Sequence, residues 1–316
     1  MEDFRRLSKL RERKYQEARG LDALYKSLPK SDPTRNGIGR SLARATQWYK
    51  IDDEEYKRTV SARNEFVNQS LENYLKSLAA CDEFDNCLVR FFALWLEHSE
   101  SIPANEAVSR QIDAVASWKF VGLLNQMMSR LLNDGSNFQA LLSNLMRRIC
   151  SDHPYHGYQH IFASCNGSVD KQDEKACGRR EATQRVAAQL HGDQKGGGLF
   201  KRVWDASVTY HLLANSKVER TKSGKLSLQK FTAARDMNEK VSQAKIPPAT
   251  LNLELRPAGD YNHVPIIVRF REEISIASGV SAPKILTARA TDGNQYKQLV
   301  SRCKDGTGCI PVTDSL

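Results

Sequence analysis

The stretch with the clearest capacity for chemistry is Ser278-Gly-Val-Ser-Ala-Pro-Lys284, which lies between two short, partly apolar segments. Ile274 and Ile276 alternate with polar residues before it, and Lys284 to Ala290 follows it. A glycine between two strands allows backbone amides to approach a phosphate closely. One glycine is weak evidence for phosphate binding, so the local pattern on its own favours an ordinary β-hairpin without a ligand.

A second turn follows at Asp292-Gly293, a dipeptide typical of tight hairpins. The apolar residues of Gln298-Leu-Val300 lie beyond it and predict another strand. The sequence from Ile274 to Val300 therefore predicts two or three short antiparallel strands with the glycine-containing loop between the first two.

Histidine and cysteine residues form a second candidate site at His153, His156, His160 and Cys165. Four nitrogen and sulfur ligands would suit tetrahedral zinc. A helix start explains the same stretch without a metal, because Pro154 suits the first helical turn and Asp152 is a plausible N-cap. We prefer the helix start and predict no metal site.

The composition describes a chain of 316 residues with 40% hydrophobic and 27% charged residues and a net charge of +10. Such a basic excess favours contact with polyanions, but the lysines and arginines are dispersed along predicted helices, which favours a solvated basic surface. The seven cysteines form no CxxC pair and indicate free thiols in a reducing compartment. No apolar run reaches the roughly 18 to 20 residues of a membrane helix, so we expect no membrane partner.

Helical periodicity dominates the first half of the chain. It predicts helices over 1–28 and 38–49, with a linker over 29–39 between them, and a long helix from Asp52 to Ala79 opened by four acidic residues. The strongest amphipathic stripe contains Phe84, Leu88, Phe91, Phe92, Trp95 and Leu96. Further helices are predicted over 102–115, 119–132, 138–150, 179–191 and 199–216.

The periodicity changes after Ile246-Pro-Pro-Ala249, where two prolines stop a helix. Leu251, Leu253 and Leu255 alternate, and Ile266 to Phe270 predicts the next strand. Consecutive helices with short connections indicate an α-solenoid or bundle. The predicted fold class is therefore mostly α, an α-solenoid followed by a small antiparallel β portion.

Several of these motifs resemble the phosphoinositide-3-kinase-related protein kinases, in particular the ATM and telomere-maintenance checkpoint branch. The resemblance rests on the order Ser-Gly-Val-x-x-Pro-Lys, Asp-Gly and Gln-Leu-Val between Ser278 and Val300. It also rests on Leu71-Glu-Asn-Tyr-Leu-Lys76 and on Phe92-Ala-Leu-Trp-Leu-Glu-His-Ser99. The segment that ends in Asp152-His-Pro-Tyr-His156 is the most branch-specific.

The resemblance implies a domain organisation and a site. Residues 1–171 would be the C-terminal part of a FAT helical-repeat domain, 172–245 a helical connector, and 246–316 an incomplete kinase small lobe with a divergent tail over 301–316. The phosphate-covering loop would consist of Ser278, Gly279, Val280, Ser281, Ala282, Pro283 and Lys284.

The resemblance also implies an activity and partners for the complete kinase. It would use ATP with Mg or Mn to phosphorylate serine or threonine before glutamine, in DNA double-strand-break signalling and telomere maintenance. It would lie in the nucleus, on chromosomes and telomeres. Its expected partners are a DNA-break sensor complex, chromatin and histone substrates, and a second copy bound through the helical region.

The sequence departs from the family pattern directly after Val300, where the family has its phosphate-binding lysine and this chain has Ser301. Lys304 lies three positions later, which on a strand moves it about 10 Å and to the opposite face. No catalytic residue can be named, and we expect the chain by itself to be catalytically inactive and to bind no cofactor. The alternatives are a non-enzymatic helical scaffold or adaptor, or a fragment of an ATR-like or DNA-dependent kinase.

Overall fold

The structure is a computed structural model that describes residues 2–167, 169–170, 172–194, 196–217, 224–278 and 282–301. Two compact units divide the chain: residues 1–76 with 90–111, and residues 77–89 with 112–316. Among the described helices, none combines the length and the apolar character needed to cross a bilayer.

The first unit is helical. It contains α1 (Glu2–Ser27), most of α2 (Arg35–Ala80), most of α3 (Cys87–Glu97) and α4 (Ile102–Gln111). Its core includes Leu71, Leu75, Phe91 and Trp95, all fully buried. The Trp95 indole donates a hydrogen bond to the buried side chain of Asn105 over 2.9 Å, which fixes α3 against α4.

Helix α2 corrects one prediction, because 38–49 and 52–79 are parts of one continuous helix that begins at Arg35. One of the acidic residues that predicted a helix start, Asp53, serves as an ion-pair partner instead. The Asp53 carboxylate accepts from Arg11 of α1 at 2.5 Å and pairs with Lys57 at 2.7 Å. These two cations lower the pKa of Asp53, with Lys57 the larger contributor.

The second unit begins with helices that pack around Phe120, Leu142, Ile149, Tyr158 and Phe200. They are α5 (Leu124–Arg130), α6 (Asn137–Asp152), α7 (Pro154–Asn166), α8 (Glu174–His191) and α9 (Gly197–Asn215). A 3-10 helix, Ser117–Leu123, precedes α5, so the helix predicted over 119–132 is 3-10 in its first half.

A five-stranded antiparallel sheet follows, with strands β1 (Lys225–Ser227), β2 (Ile267–Phe270), β3 (Glu273–Ile276), β4 (Lys284–Ala290) and β5 (Gln295–Val300). Strand β4 is central: β5 pairs along one edge, and β2 and β3 share the other. Helix α10 (Met237–Ala244) packs against β2 and α9. The predicted fold class, helices followed by a small antiparallel sheet, is confirmed.

Two details of the sheet differ from the predictions. Strand β1 comes from the segment predicted as a helical connector and pairs with β3 in the register Leu226 to Ile274. The predicted strand at Leu251–Leu255 does not join the sheet, although its leucines are half-buried and the residues between them exposed. It is an extended segment whose backbone at Glu254 hydrogen-bonds to the side chain of His156.

Candidate functional site

The candidate site is the connection between β3 and β4, where the sequence predicts a phosphate-covering loop. Ile276 and Lys284 are paired across the two strands, and the amide of Ala277 donates to the carbonyl of Pro283 over 2.8 Å. Ser278 is exposed, and Ala282 and Pro283 are half-buried. Gly279, Val280 and Ser281 lie outside the described residues. The strands therefore close the base of the loop, as the turn signals predict.

Ala282 has φ +42°, a left-handed conformation that is uncommon for residues other than glycine. Such a residue costs about 1 kcal/mol or more and persists only where its surroundings impose it. It directly precedes Pro283, whose ring fixes its own φ. The return of the loop into β4 is thus a strained, defined turn.

Lys284 is the predicted site residue whose placement the structure defines most fully. Its side chain is buried, with 1% of the residue exposed. The ammonium donates hydrogen bonds to the carbonyl oxygens of Ala214 (3.1 Å) and Ser216 (2.8 Å) at the C-terminal end of α9. A cation at this end of a helix is favoured by the helix dipole. Burial lowers the pKa of Lys284.

Lys284 therefore holds the first residue of β4 against α9, and this contact was not predicted. Its ammonium also lies 5.9 Å from the ring centroid of Phe231, which covers it. A role of Lys284 in contacting a nucleotide stays a prediction, as does the role of the other loop residues. No local feature of the sequence predicts the helix contact, since a lysine after a proline is expected to be exposed.

A second contact fixes α9 below the sheet. The hydroxyl of Tyr210 donates to Oε1 of Gln298 in β5 over 2.9 Å, and both side chains are buried. Burial raises the pKa of Tyr210. Nε2 of Gln298 is buried without a hydrogen-bond partner among the described residues. With Lys284 on β4 and Gln298 on β5, α9 is attached to both strands beside the predicted loop.

From the sequence we predict that the kinase resemblance stops at the end of β5, and the structure shows where that end lies in the sheet. Val300 is paired with Lys284 across the sheet and is fully buried. The next residue is Ser301, and its correspondence to the family's lysine stays a prediction. Lys304 lies outside the described residues.

The His-Pro-Tyr-His element forms a cluster in which His153 is buried and the other three residues are half-buried. Pro154 is the first residue of α7, as predicted, but the N-cap residue is His153, and Asp152 is the last residue of α6. The Asp152 carboxylate instead accepts a hydrogen bond from the hydroxyl of Ser117 over 2.6 Å. The prediction of Asp152 as the N-cap is therefore wrong.

Tyr261 organises the other side of this cluster. Its hydroxyl lies 2.9 Å from Nδ1 of His153, and its ring packs edge-on against Tyr155 with centroids 5.6 Å apart. Burial lowers the pKa values of His153, His156 and His160. Within the described residues, no three histidine, cysteine or acidic side chains converge as metal ligands would. The cluster joins α7 to the segment that leads into the sheet.

No protein-family model matches the chain. Individual proteins do. The chain is 40% identical over 301 residues to the serine/threonine-protein kinase Tel1 of Emericella nidulans, an alignment that covers 95% of the chain and 11% of that protein. It is 40% identical over 311 residues to the serine/threonine-protein kinase Tel1 of Neurospora crassa. That alignment covers 96% of the chain and 10% of the Neurospora protein. The chain thus spans about a tenth of the length of the curated relatives that it matches.

Solved structures agree with these relatives. The open conformation of CtTel1 matches with a TM-score of 0.85 and 42% identity, over 96% of this chain and 11% of that one. The FAT and kinase domain of CtTel1 matches with a TM-score of 0.83 and 40% identity, over 96% of this chain and 20% of that one. A complete CtTel1 dimer with C2 symmetry matches with a TM-score of 0.83 and 40% identity. This match covers 96% of this chain and 11% of the matched CtTel1 chain.

Proposed function

We propose that the chain belongs to the ATM and Tel1 branch of the phosphoinositide-3-kinase-related protein kinases and that it is the part of such a kinase that joins the FAT domain to the small lobe. Its helices and small sheet match that region of CtTel1 along 96% of the chain. The proposed domains are the FAT part over 1–171, the connector over 172–245 and the small lobe over 246–316. The observation that carries the proposal is the β3–β4 loop, whose base is closed and whose last residue is fixed to α9.

The proposed activity of the complete kinase is transfer of the γ-phosphate of ATP to serine or threonine before glutamine. ATP with Mg or Mn would supply the phosphoryl group and neutralise its charge. In this chain the contribution is positioning: α9 holds β4 and β5, and these strands hold the loop from Ser278 to Lys284 over the nucleotide phosphates. No residue described here acts as acid or base.

The proposed biological setting is DNA double-strand-break signalling and telomere maintenance in the nucleus. The partners would be a DNA-break sensor complex and chromatin, including histone substrates. A homodimer is supported by the C2-symmetric CtTel1 dimer that this chain resembles. We propose that the chain contributes to that dimer through its helical region.

The chain by itself is proposed to transfer no phosphate, because it has Ser301 where the kinase needs a lysine. Purified chain, incubated with radiolabelled ATP, Mg²⁺ and a Ser-Gln peptide, should label the peptide no more than a mock preparation does. Labelling above that background that follows the chain through chromatography would overturn this statement.

Sequencing of the transcript across the codon for Val300 tests whether the chain is part of a kinase. We expect a message that continues from Val300 in another reading frame, with a lysine codon directly after Val300 and a catalytic loop encoded downstream. A message that encodes Ser301 to Leu316 and then stops would contradict the kinase proposal. A helical scaffold would then be the better account of the product.

A further inference from the structure

A groove of about 480 Å³ lies where the start of α10 and the 3-10 turns before it meet β2, the turn that follows β2, β4 and the first residue of β5. Its floor is apolar, with Leu228, Ala234 and Phe270 buried. Its walls carry four arginines and one glutamate, namely Arg235, Arg269, Arg271, Arg289 and Glu272. The lining charge is therefore +3, concentrated in one concavity.

Within the described residues, the four arginines that line this arginine groove have no carboxylate partners. All four are exposed, and none forms an ion pair within 4.0 Å with an acidic residue of the described chain. The one carboxylate in the lining, Glu272, accepts from the hydroxyl of Ser227 over 3.3 Å. Arginine guanidinium groups are the preferred partners of phosphates and carboxylates because their N–H groups form a planar fork.

The sheet also holds two of these charges in an unfavourable arrangement. Arg269 of β2 and Arg289 of β4 are directly opposite in the strand register. Like charges at directly opposite positions destabilise an antiparallel pair. An anion bound between them would remove this repulsion, so the pair is an independent indication of a ligand.

We propose that the arginine groove binds a phosphorylated peptide segment, with the phosphate held between Arg269 and Arg289. Arg235 and Arg271 would contact acidic or phosphate groups on either side of the phosphorylated residue. A peptide fits better than a nucleic acid, which spreads its phosphates along a stripe and stacks its bases on exposed aromatic rings. Here the charge is confined to one concavity, and the lining aromatic ring is buried.

The direct test is fluorescence anisotropy with the 316-residue chain and a labelled peptide that contains one phosphoserine followed by leucine. The unphosphorylated peptide should bind at least about tenfold more weakly, and so should the phosphopeptide to an Arg269→Gln/Arg289→Gln double variant. Lys297→Gln, which removes a charge from β5 outside the groove, is the matched control and should change affinity less than about twofold. Arg289→Lys keeps the positive charge but loses the planar set of N–H donors, so it should weaken binding of the phosphopeptide severalfold.

Thermal unfolding supplies a second readout. At low salt the double variant should unfold at the same temperature as the wild type or higher, because the repulsion is gone. Inorganic phosphate should raise the unfolding temperature of the wild type more than that of the double variant. Unchanged peptide affinity in the double variant would overturn the proposal. Tighter, arginine-dependent binding of a single-stranded DNA 12-mer would overturn it in favour of a nucleic-acid site.

Discussion

The ammonium of Lys284 lies 2.8 Å from the carbonyl oxygen of Ser216, so the first residue of β4 is hydrogen-bonded to the C-terminal end of α9. The same nitrogen donates to Ala214 over 3.1 Å. One lysine therefore satisfies two carbonyl groups that α9 itself leaves unpaired at its end. The predicted phosphate-covering loop ends on a fixed point of the fold.

Replacement of Lys284 with methionine should destabilise the sheet locally. Two carbonyl oxygens would lose their donor, and an unsatisfied buried group costs about 1–3 kcal/mol. Hydrogen exchange of the β4 and β5 amides should show a lower free energy of opening by about this amount. Lys297→Met, at an exposed position of β5, should change it by less than about 0.5 kcal/mol. Equal changes in the free energy of opening for the two variants would show that Lys284 does not anchor the sheet to α9.

The Tyr210–Gln298 bond should behave as a coupled pair. Tyr210→Phe leaves Oε1 of Gln298 buried without its donor, and Gln298→Met leaves the tyrosine hydroxyl buried without its acceptor. Each single change should lower the free energy of unfolding by about 1–2 kcal/mol, and the double change by clearly less than the sum. Denaturant unfolding of all four proteins completes the cycle. Strict additivity would show that the two side chains do not interact.

Acidification should destabilise the second unit through its buried histidines. Burial lowers the pKa values of His153, His156 and His160, and the neighbouring histidines lower that of His156 further. Asp152 acts in the opposite direction on His153. Below pH 6.5 the unfolded chain therefore binds more protons than the folded chain, so stability falls as the pH decreases through this window.

Unfolding temperatures measured between pH 7.5 and 5 should show this decline. His160→Gln should flatten it, because that half-buried histidine forms no side-chain hydrogen bond within the described part of the chain. His263→Gln, at an exposed position, should retain the wild-type slope. A His160→Gln protein with an undiminished slope would place the acid sensitivity in other residues.

Gly259 provides a test of how the segment before the sheet meets the His-Pro-Tyr-His cluster. It has φ +66°, and a Cβ there would lie 2.8 Å from the carbonyl oxygen of Asp152. Gly293 has φ +82°, but a Cβ there would meet nothing within 4 Å. Both Gly→Ala changes strain the backbone by about 1–2 kcal/mol, and only Gly259→Ala adds a clash. Its unfolding temperature should therefore be the lower of the two, and the reverse order would contradict the close approach.

The sequence predicts most helices and the β3–β4–β5 hairpins, because amphipathic spacing and the Asp292-Gly293 turn are local signals. The predictions from the sequence are wrong where a contact with a residue far away in the chain determines the local structure. The acidic run at Asp52–Glu55 predicts a helix start, yet Asp53 is used by Arg11 of another helix. The alternation of Leu251 to Leu255 predicts a strand, but its backbone partner is His156 rather than a neighbouring strand.

The candidate site shows the same division. The position of the loop between β3 and β4 could be predicted from glycine and proline. The burial of Lys284 could not, because its acceptors are the carbonyl groups at the end of a helix about 70 residues earlier in the chain. A hydrogen bond to a backbone carbonyl does not depend on the side chain of the acceptor residue, so no sequence pattern predicts it. The burial of a helix face, by contrast, is predicted by hydrophobic periodicity.

The most direct test of the central claim is the kinase activity of a chimera. Residues 2–300 would replace the matching segment of Neurospora crassa Tel1, whose own sequence would supply the rest of the kinase. We expect the chimera to phosphorylate a Ser-Gln peptide at a much higher rate than a Ser-Ala peptide. Lys284→Met should reduce this rate more than Lys297→Met does. A folded chimera without activity would contradict the claim that this segment is the FAT and small-lobe part of such a kinase.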